Sequence, residues 1–219
     1  MQRDTFSMNR NRNLAVVIQA GGRSSRMGQD KGLVKLAGRP MIDFVLEQVL
    51  DLADDVFITT NNVTEYVQFG LRMASDQEPG AGALPGLKTA LSKAMGDYLL
   101  VVACDMPFLN RELLIHQINT AFETDADVVV PKWEGRTQTM HAVYKVESCL
   151  TAVEAALEAG KAKMTSFYDG LHVIEVSEAE VAQYSPAGES FQNVNTPAEL
   201  ATAEAQLNGG SVYGRSVGQ

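Results

Sequence analysis

The sequence predicts an α/β fold of three layers built on a mostly parallel sheet. Short apolar runs alternate along the chain with segments in which apolar residues recur at helical spacing. The run at 98–104, YLLVVAC, is apolar almost throughout, which is typical of a strand covered by helices on both faces. Strands that alternate with helices favour parallel pairing through right-handed crossovers.

Strands are predicted where short runs of β-branched or apolar residues are bounded by polar residues or glycine. The first strand is 14–18, and the chain then turns into Gly21 and Gly22. Further strands are predicted at 56–60, 71–75, 98–104, 128–130, 141–145 and 171–176. Between the strands at 128–130 and 141–145 we expect a loop or hairpin with Gly135 at its turn.

Helical periodicity predicts helices at 41–52, 87–95, 111–122, 146–159 and 197–207. Pro40 is expected in the first turn of the first helix, and Asn110 at the N-cap of the third. The last helix has the clearest start. Thr196 at its N-cap and Glu199 three residues later form a capping-box pattern, with Pro197 at the first helical position.

Length, charge and cysteine content limit the class of protein. The 219 residues suit a single domain over 14–207, with flexible tails at 1–13 and 208–219. The formal net charge is −9, and an acidic surface does not attract nucleic acid or an anionic membrane. No window approaches the ~20 apolar residues of a membrane span. The two cysteines lack both a metal-ligand spacing and the density of a secreted scaffold, so a cytoplasmic location is predicted.

The segment VVIQAGGRSSRMGQDK, residues 16–31, passes from a strand into adjacent glycines and then carries three cations. It is neither a GxGxxG nor a P-loop pattern, because its glycines are adjacent and no GK[ST] follows. Glycines let backbone N–H groups surround phosphate oxygens. Arg26 and Lys31 would neutralise a polyphosphate that an acidic protein otherwise repels. Spacing favours anion binding and leaves a solvated turn open.

Residues that follow the strands are read together, because ligands of parallel sheets bind beyond the carboxyl ends of the strands. Asp105 follows the most apolar strand and Asp76 a weaker one. A carboxylate in such a place is a common Mg²⁺ ligand, with an Asx-turn or helix cap as the alternative. Asn193 and Asn195 lie two residues apart in an extended segment, hence on one face, or serve only as turn residues before the last helix. His141 lies near a possible substrate loop and is left unassigned.

Four segments resemble the molybdenum cofactor guanylyltransferase family. QAGGRSSRMGQDKGLVKLAGRPMIDFVLEQV is similar to its LAGGxSxRMGxDK…GxP pattern, and SDQEPGAGALPGL to its Asp…GPLxG segment. VVACDMP looks like its CDxP metal site, and FQNVNTPAEL like its NxNTPxEL ending. The segments span 14–207 in the family's order and spacing, and four such motifs together are highly specific.

The resemblance implies a Rossmann-like nucleotidyltransferase fold and a reaction. In that reaction GMP passes from GTP to the terminal phosphate of molybdenum-molybdopterin, and pyrophosphate is released. Mg²⁺ is the implied cofactor. Proteins that deliver the pterin cofactor, or molybdoenzymes that receive the product, are implied as transient partners.

The resemblance also implies roles for particular residues. Lys31 and Arg26 stabilise charge on the phosphates, and Asp105 binds Mg²⁺. The other implied contacts to the nucleotide, the nucleoside and the pterin side of the site are made by Gln19, Ala20, Gly21, Gly22, Thr59, Asn61, Asp76, Asn193 and Asn195.

The chain departs from the family pattern at several positions. Gln19 replaces a leucine, Thr59 stands where asparagine can occur, and GALPG exchanges the leucine and proline of GPLxG. Three alternatives remain: the cytidylyltransferase of the same cofactor, which uses CTP and usually begins LAAG; a sugar-1-phosphate nucleotidylyltransferase; and a regulatory module that binds nucleotide without turnover.

Overall fold

The structure, a computed structural model, describes residues 13–20, 30–75 and 82–209. Within these residues the main sheet has eight strands, in the order β10-β7-β9-β6-β1-β4-β5, with β8 paired to β7. These strands are β1 (Leu14–Gln19), β4 (Asp55–Thr59), β5 (Arg72–Ala74), β6 (Tyr98–Ala103), β7 (Val128–Trp133), β8 (Arg136–Thr137), β9 (His141–Lys145) and β10 (Val173–Val176). A separate small hairpin is formed by β2 (Lys35–Leu36) and β3 (Arg39–Pro40).

Helices pack on both faces of the sheet. They are α1 (Met41–Val49), α2 (Val63–Tyr66), α3 (Ala83–Lys93), α4 (Arg111–Thr124), α5 (Val146–Glu158), α6 (Glu178–Val181) and α7 (Pro197–Gly209). Short 3-10 helices lie at Lys31–Leu33, Val67–Phe69 and Glu189–Phe191. None of the helices in the described residues is long and apolar enough to cross a membrane.

The centre of the sheet is parallel, as predicted. β1 pairs in parallel with β4 and β6, and β5 pairs in parallel with β4, whereas β9 runs antiparallel to β6 and β7. Gln19 at the end of β1 is in register with Thr59 of β4 and Ala103 of β6. The carboxyl ends of the three central strands therefore lie side by side at one edge of the sheet.

Alternation along β1 shows why three layers form. Val16 and Ile18 pack into one apolar cluster together with residues of α1 and α4. Ala15 and Val17 point the other way, into a cluster with residues of α3 and α5. All four side chains are fully buried, so both faces of this strand exclude water.

A third, smaller apolar cluster holds α7 against the β2–β3 hairpin. Leu36 of the hairpin, Met41 of α1, Val194 before α7 and Ala203 within α7 are buried there. This packing fixes the segment before α7 close to the carboxyl edge of the sheet. The predicted capping box is confirmed, because Thr196 Oγ1 accepts from Glu199 N at 3.2 Å and Glu199 Oε2 accepts from Thr196 N at 3.0 Å.

The bounds of two predicted helices differ most from the structure, and the other three helices differ by one or two residues at their ends. α1 ends at Val49 instead of residue 52, and Pro40 is its N-cap residue and not part of its first turn. α3 begins at Ala83, four residues before the predicted start, and ends at Lys93. Pro85 does not prevent this early start, because N–H groups in the first turn have no intrahelical partner to lose.

Short elements were missed by the sequence prediction. The strands β2 and β3 and the helices α2 and α6 each have four residues or fewer, so hydrophobic periodicity gives little signal for them. β7 continues to Trp133, past the predicted end at 130, and β10 is shorter than predicted. The predicted hairpin is confirmed, with Gly135 at a φ of +70° between β7 and β8.

His141 belongs to the core and not to a substrate loop. It is fully buried at the start of β9, and its ring lies edge-on to Phe191 with 5.0 Å between ring centroids. Neither ring nitrogen is hydrogen-bonded to a described residue. Burial, which disfavours the charged ring, lowers the pKa of His141 to about 4.

We predict that His141 makes folding sensitive to acid. An unfolded histidine has a pKa near 6.5, so between pH ~6.5 and ~4 the unfolded chain binds a proton that the folded chain does not. The free energy of unfolding should fall across this window by about 3 kcal/mol on account of this residue. His141→Met should remove that part of the slope in urea unfolding measured from pH 7 to pH 4. The control His172→Met, at an exposed position, should keep the wild-type slope; equal slopes in all three proteins would contradict the prediction.

Candidate active site

The candidate site lies where β1, β4 and β6 end. Backbone pairing continues just past the strands, since Ala20 N donates to the carbonyl of Thr59 at 2.8 Å and Cys104 N donates to that of Gln19 at 3.1 Å. Asp105 is the next residue after Cys104 and is largely buried, with 12% of its side chain exposed. The sheet thus presents one carboxylate at the middle of its carboxyl edge.

Asn195 is brought to this carboxylate by the segment before α7. Val194 is fully buried, and its N–H donates to the backbone carbonyl of Asp105 at 2.9 Å. Glu199 Oε2 accepts from Asn195 N at 2.6 Å, which holds the turn into the helix. The backbone bond from Val194 to Asp105 therefore places Asn195 beside Asp105, independently of any contact between their side chains.

The Lys31 ammonium completes the cluster. Its Nζ lies 3.1 Å from Asp105 Oδ2 and also donates to Asn195 Oδ1. The lysine side chain is 28% exposed, so the pair is only partly screened by solvent. An ammonium has three N–H donors, and two are engaged here. The third has no partner among the residues that the structure describes, and it lies where an anion at the edge of the sheet could accept from it.

The backbone of Lys31 is fixed from the other side by Asp30. Asp30 is the N-cap of the 3-10 helix Lys31–Leu33, and its Oδ1 accepts from Gly32 N at 3.3 Å. The same oxygen accepts from the Tyr66 hydroxyl. Burial raises the pKa of Asp30, and the bond from Tyr66 opposes this rise. The pKa of Tyr66 is also raised by burial, so its hydroxyl remains a donor.

A family model described as MobA-like NTP transferase domain matches residues 16–175. The chain belongs to this family. Its resemblance to the guanylyltransferases, noted from four motifs, is confirmed by its relatives. A molybdenum cofactor guanylyltransferase from Shewanella halifaxensis is 36% identical over 184 residues, covering 83% of this chain and 88% of that protein. One from Desulfosudis oleivorans is 34% identical over 197 residues, covering 90% of this chain and 96% of that protein.

Solved structures agree with this assignment. Molybdopterin-guanine dinucleotide biosynthesis protein A from Archaeoglobus fulgidus has a TM-score of 0.74 and 25% identity, and the match covers 87% of this chain and 96% of that one. The predicted nucleotidyltransferase fold is confirmed. As a member of the MobA-like family, the chain has its candidate site at the sheet edge where parallel α/β proteins bind ligands.

Of the residues proposed from sequence, the structure brings Lys31, Asp105 and Asn195 into direct contact. Asn193 is exposed and is not part of that contact in the described part of the chain. Gly21, Gly22, Arg26 and Asp76 lie outside the described residues, and their roles stay predictions.

Gln19, Ala20, Thr59 and Asn61 lie at the ends of β1 and β4, on the same edge as Asp105. Thr59 is buried and Asn61 is exposed. Gln19 is half-buried, yet its amide Nε2 is shielded from solvent and has no hydrogen-bond partner among the described residues. A buried amide donor without a partner costs free energy, so Gln19 marks the end of β1 as a place where a polar ligand group would be stabilised.

Cys104 is packed beneath this cluster and has no chemical role there. Burial, and secondly the charge of Asp105, raises the pKa of its thiol well above the ordinary value. A buried, protonated thiol is a poor nucleophile. The Cys104 side chain acts by packing. Together with Tyr66 it leaves room at residue 32 only for glycine.

Sequence reasoning missed Asp30 and Tyr66. Asp30 had two available signals, since it is the aspartate of the quoted RMGxDK pattern and aspartate directly before a short helix is a favoured N-cap residue. Tyr66 had none, because it ends α2, a helix too short to be detected by periodicity. Its partner is 36 residues away in the sequence.

We predict that Gly32→Ala destabilises the fold. A Cβ at this position would lie 2.6 Å from the Tyr66 hydroxyl oxygen and 3.1 Å from Cys104 Cβ. Overpacking of this kind costs about 1–3 kcal/mol, and urea unfolding should show a loss of that size. Gly209→Ala is the matched control, because no atom of the described residues lies within 4 Å of a Cβ there. A loss no larger at Gly32 than at Gly209 would show that the contact is loose.

Proposed function

We propose that this chain transfers GMP from GTP to the terminal phosphate of molybdenum-molybdopterin, forms the guanine dinucleotide cofactor and releases pyrophosphate. The observation that carries the proposal is the Lys31 ammonium held between Asp105 and Asn195 at the carboxyl edge of the sheet. The relatives that match most of the chain are named molybdenum cofactor guanylyltransferases, which supports the choice of base and acceptor.

In the proposed reaction an oxygen of the acceptor phosphate attacks the α-phosphorus of GTP. A new P–O bond forms on one side while the bond from the α-phosphorus to the bridging oxygen of the β-phosphate breaks on the other. The bonding electrons leave with pyrophosphate, in line with the attack. The nucleophile is already ionised near neutral pH, so no general base is required. Catalysis then consists of positioning two anions and neutralising their charge.

Lys31 is the residue that neutralises this charge. Its side chain is anchored by Asp105 and Asn195, so the ammonium needs no rearrangement to meet a phosphate oxygen. An electrostatic group that is already in place stabilises developing charge without the cost of reorganisation. We propose that Arg26 supplements this charge, and that the glycine loop at 21–22 surrounds the phosphates with backbone N–H groups.

Mg²⁺ is the proposed cofactor, and Asp105 suits it. Asp105 Oδ2 accepts from Lys31, and the other carboxylate oxygen has no hydrogen bond to a described residue. In the described part of the chain there is no group of three or more histidine, cysteine, aspartate or glutamate side chains that could enclose a metal. A magnesium site that uses one or two carboxylates and substrate phosphates fits this arrangement, with Asp76 as the proposed second carboxylate. When bound, Mg²⁺ would lower the charge repulsion between the phosphates.

We propose that the nucleoside lies along the ends of β1 and β4, against Gln19, Thr59 and Asn61, with Asn193 and Asn195 toward the pterin.

The proposed compartment is the cytoplasm, consistent with Cys104 and Cys149 as free, buried thiols. Proteins that deliver the pterin cofactor or accept the product are proposed as transient partners.

The function is tested by measuring pyrophosphate release from purified protein with molybdenum-molybdopterin and each of GTP, CTP and ATP. We expect kcat/KM to be highest for GTP, because a site that accepts hydrogen bonds from guanine N1–H and N2–H₂ leaves polar groups unpaired with another base. Equal or better use of CTP would favour the cytidylyltransferase alternative. No release with any nucleotide would favour a regulatory module.

Gln19 is predicted to contribute to the choice of base. Its buried amide has no partner among the described residues and lies at the end of β1. The LAGG pattern that this segment resembles has leucine at the position of Gln19. Gln19→Leu should change the ratio of kcat/KM for GTP and CTP by about tenfold, the effect of one hydrogen bond of about 1.4 kcal/mol. An unchanged ratio, with equal loss for both nucleotides, would mean that Gln19 only packs.

Asp105→Asn is predicted to abolish transfer while the protein stays folded. The amide oxygen can still accept from Lys31, but the neutral side chain loses the charge that a magnesium ligand needs. Turnover is measured by pyrophosphate release and folding by the thermal midpoint, which should stay within a few degrees of wild type. Asp51→Asn, which removes a surface partner of Arg111, is the control and should keep full turnover. Near-normal turnover by Asp105→Asn with an unchanged metal requirement would remove Asp105 from the site.

A further inference from the structure

The hydrogen bond between Tyr66 and Asp30 lies outside the proposed reaction site. It is connected to that site because Asp30 directly precedes Lys31 in the chain. We propose that Tyr66, acting through Asp30, is a positioning residue that holds the backbone of Lys31 at the distance from which its ammonium reaches Asp105 and Asn195. The inference rests on the proposed function and adds to it a residue for which neither the sequence nor the family resemblance suggested a role.

The Tyr66 hydroxyl is fixed by the core. The side chain is fully buried at the end of α2, and its ring packs on Phe69 with 5.8 Å between ring centroids. A buried aromatic ring has few alternative rotamers, so the position of its hydroxyl is set by α2. That hydroxyl donates to Asp30 Oδ1, which makes the carboxylate a link between α2 and the segment that carries Lys31.

Asp30 passes this constraint to the backbone around Lys31. Oδ1 also accepts from Gly32 N at 3.3 Å, and the Asp30 carbonyl accepts from Leu33 N at 3.0 Å. These bonds close the 3-10 turn on both sides of residue 31. The Gly32 Cα lies so close to the Tyr66 hydroxyl that a Cβ would reach 2.6 Å, so the turn is seated directly against the tyrosine.

The side chain of Lys31 needs a backbone that is held in place in this way. Lysine has a flexible four-carbon stem, and the contacts with Asp105 and Asn195 constrain only its tip. With the turn held by Asp30, both ends of the side chain are fixed, although 28% of it is exposed. A displacement of about 1 Å at a catalytic group can cost about 10²-fold in rate. Loss of the Tyr66 hydroxyl should therefore reduce catalysis through Lys31.

The test is a double-mutant cycle of Tyr66→Phe and Lys31→Ala, measured by pyrophosphate release with Mg²⁺, GTP and molybdenum-molybdopterin. Tyr66→Phe keeps the ring and removes only the hydroxyl. We expect kcat to fall about tenfold, and neither kcat nor the affinity for the triphosphate to fall further when Tyr66→Phe is added to Lys31→Ala. An equal fold-loss in both backgrounds, or wild-type kcat in Tyr66→Phe, would overturn the proposal.

Tyr98→Phe is the matched control. Tyr98 is also buried and also donates to an aspartate, Asp125 Oδ1 at 3.0 Å, but it begins β6, at the end of that strand opposite to Asp105. It should lower the thermal midpoint about as much as Tyr66→Phe and leave kcat at the wild-type value. If both variants lose kcat alike, the effect of Tyr66 is one of general stability and the proposal fails.

Asp30 variants separate positioning from charge. Asp30→Asn keeps an oxygen that can accept from Tyr66 and Gly32, whereas Asp30→Ala removes it. We expect Asp30→Asn to retain most of the kcat and Asp30→Ala to lose at least as much kcat as Tyr66→Phe, because it also loses the bond from Gly32 N. Equal, severe losses in both would mean that the Asp30 charge acts directly, which contradicts a positioning role.

If wild-type protein releases no pyrophosphate, the proposed function fails but the positioning of Lys31 is still tested. Calorimetric titration with inorganic tripolyphosphate should then show about tenfold weaker binding for Tyr66→Phe than for wild type. The double variant should bind as weakly as Lys31→Ala. Unchanged affinity in Tyr66→Phe would overturn the proposal independently of turnover.

Discussion

The Lys31 ammonium is the point at which three distant parts of the chain meet. Asp105 is 74 residues away in the sequence and Asn195 is 164 away, yet both accept from the same nitrogen. A partly buried ammonium in a protein of net charge −9 is stabilised by this pairing, and the carboxylate and amide are oriented by it in return. The central strands place the carboxylate, the capped start of α7 places the amide, and the Asp30 turn places the lysine.

This arrangement explains why structural features far from the edge of the sheet matter to the site. The register of β1 with β6 determines where Asp105 emerges, and a slip of one residue would turn the carboxylate to the other face. The apolar cluster that holds Val194 and Ala203 keeps the segment before α7 against the sheet. The side chains in contact at the site are polar, but the free energy that holds them in place comes largely from buried apolar residues around them.

The sequence predicted those parts of the fold that have long or strongly patterned signals. The central strands, α4 with its Asn110 cap and the capping box at Thr196 could be read directly, because apolar period and cap chemistry are local properties. The start of α3 was misjudged, since Pro85 looks like a helix breaker but lies in the first turn. His141 could not be assigned, because only the tertiary structure shows that Phe191 packs against its ring.

Site residues divide in the same way. Asp105 and Lys31 were identifiable from strand ends and charge, but their contact was not, because it depends on how the chain returns to the sheet. Tyr66 was not identifiable at all, since its role follows from a bond to Asp30 across a loop. The central claim, that Lys31 contacts the triphosphate beside a metal on Asp105, is tested most directly by a crystal structure with Mg²⁺ and a GTP analogue that cannot be cleaved between the α- and β-phosphates. The account predicts a phosphate oxygen within hydrogen-bond distance of Lys31 Nζ, about 2.7–2.9 Å, and Mg²⁺ about 2.0–2.1 Å from an Asp105 oxygen. A triphosphate bound away from the carboxyl edge of β1 and β6, with Lys31 still paired only to Asp105 and Asn195, would contradict it.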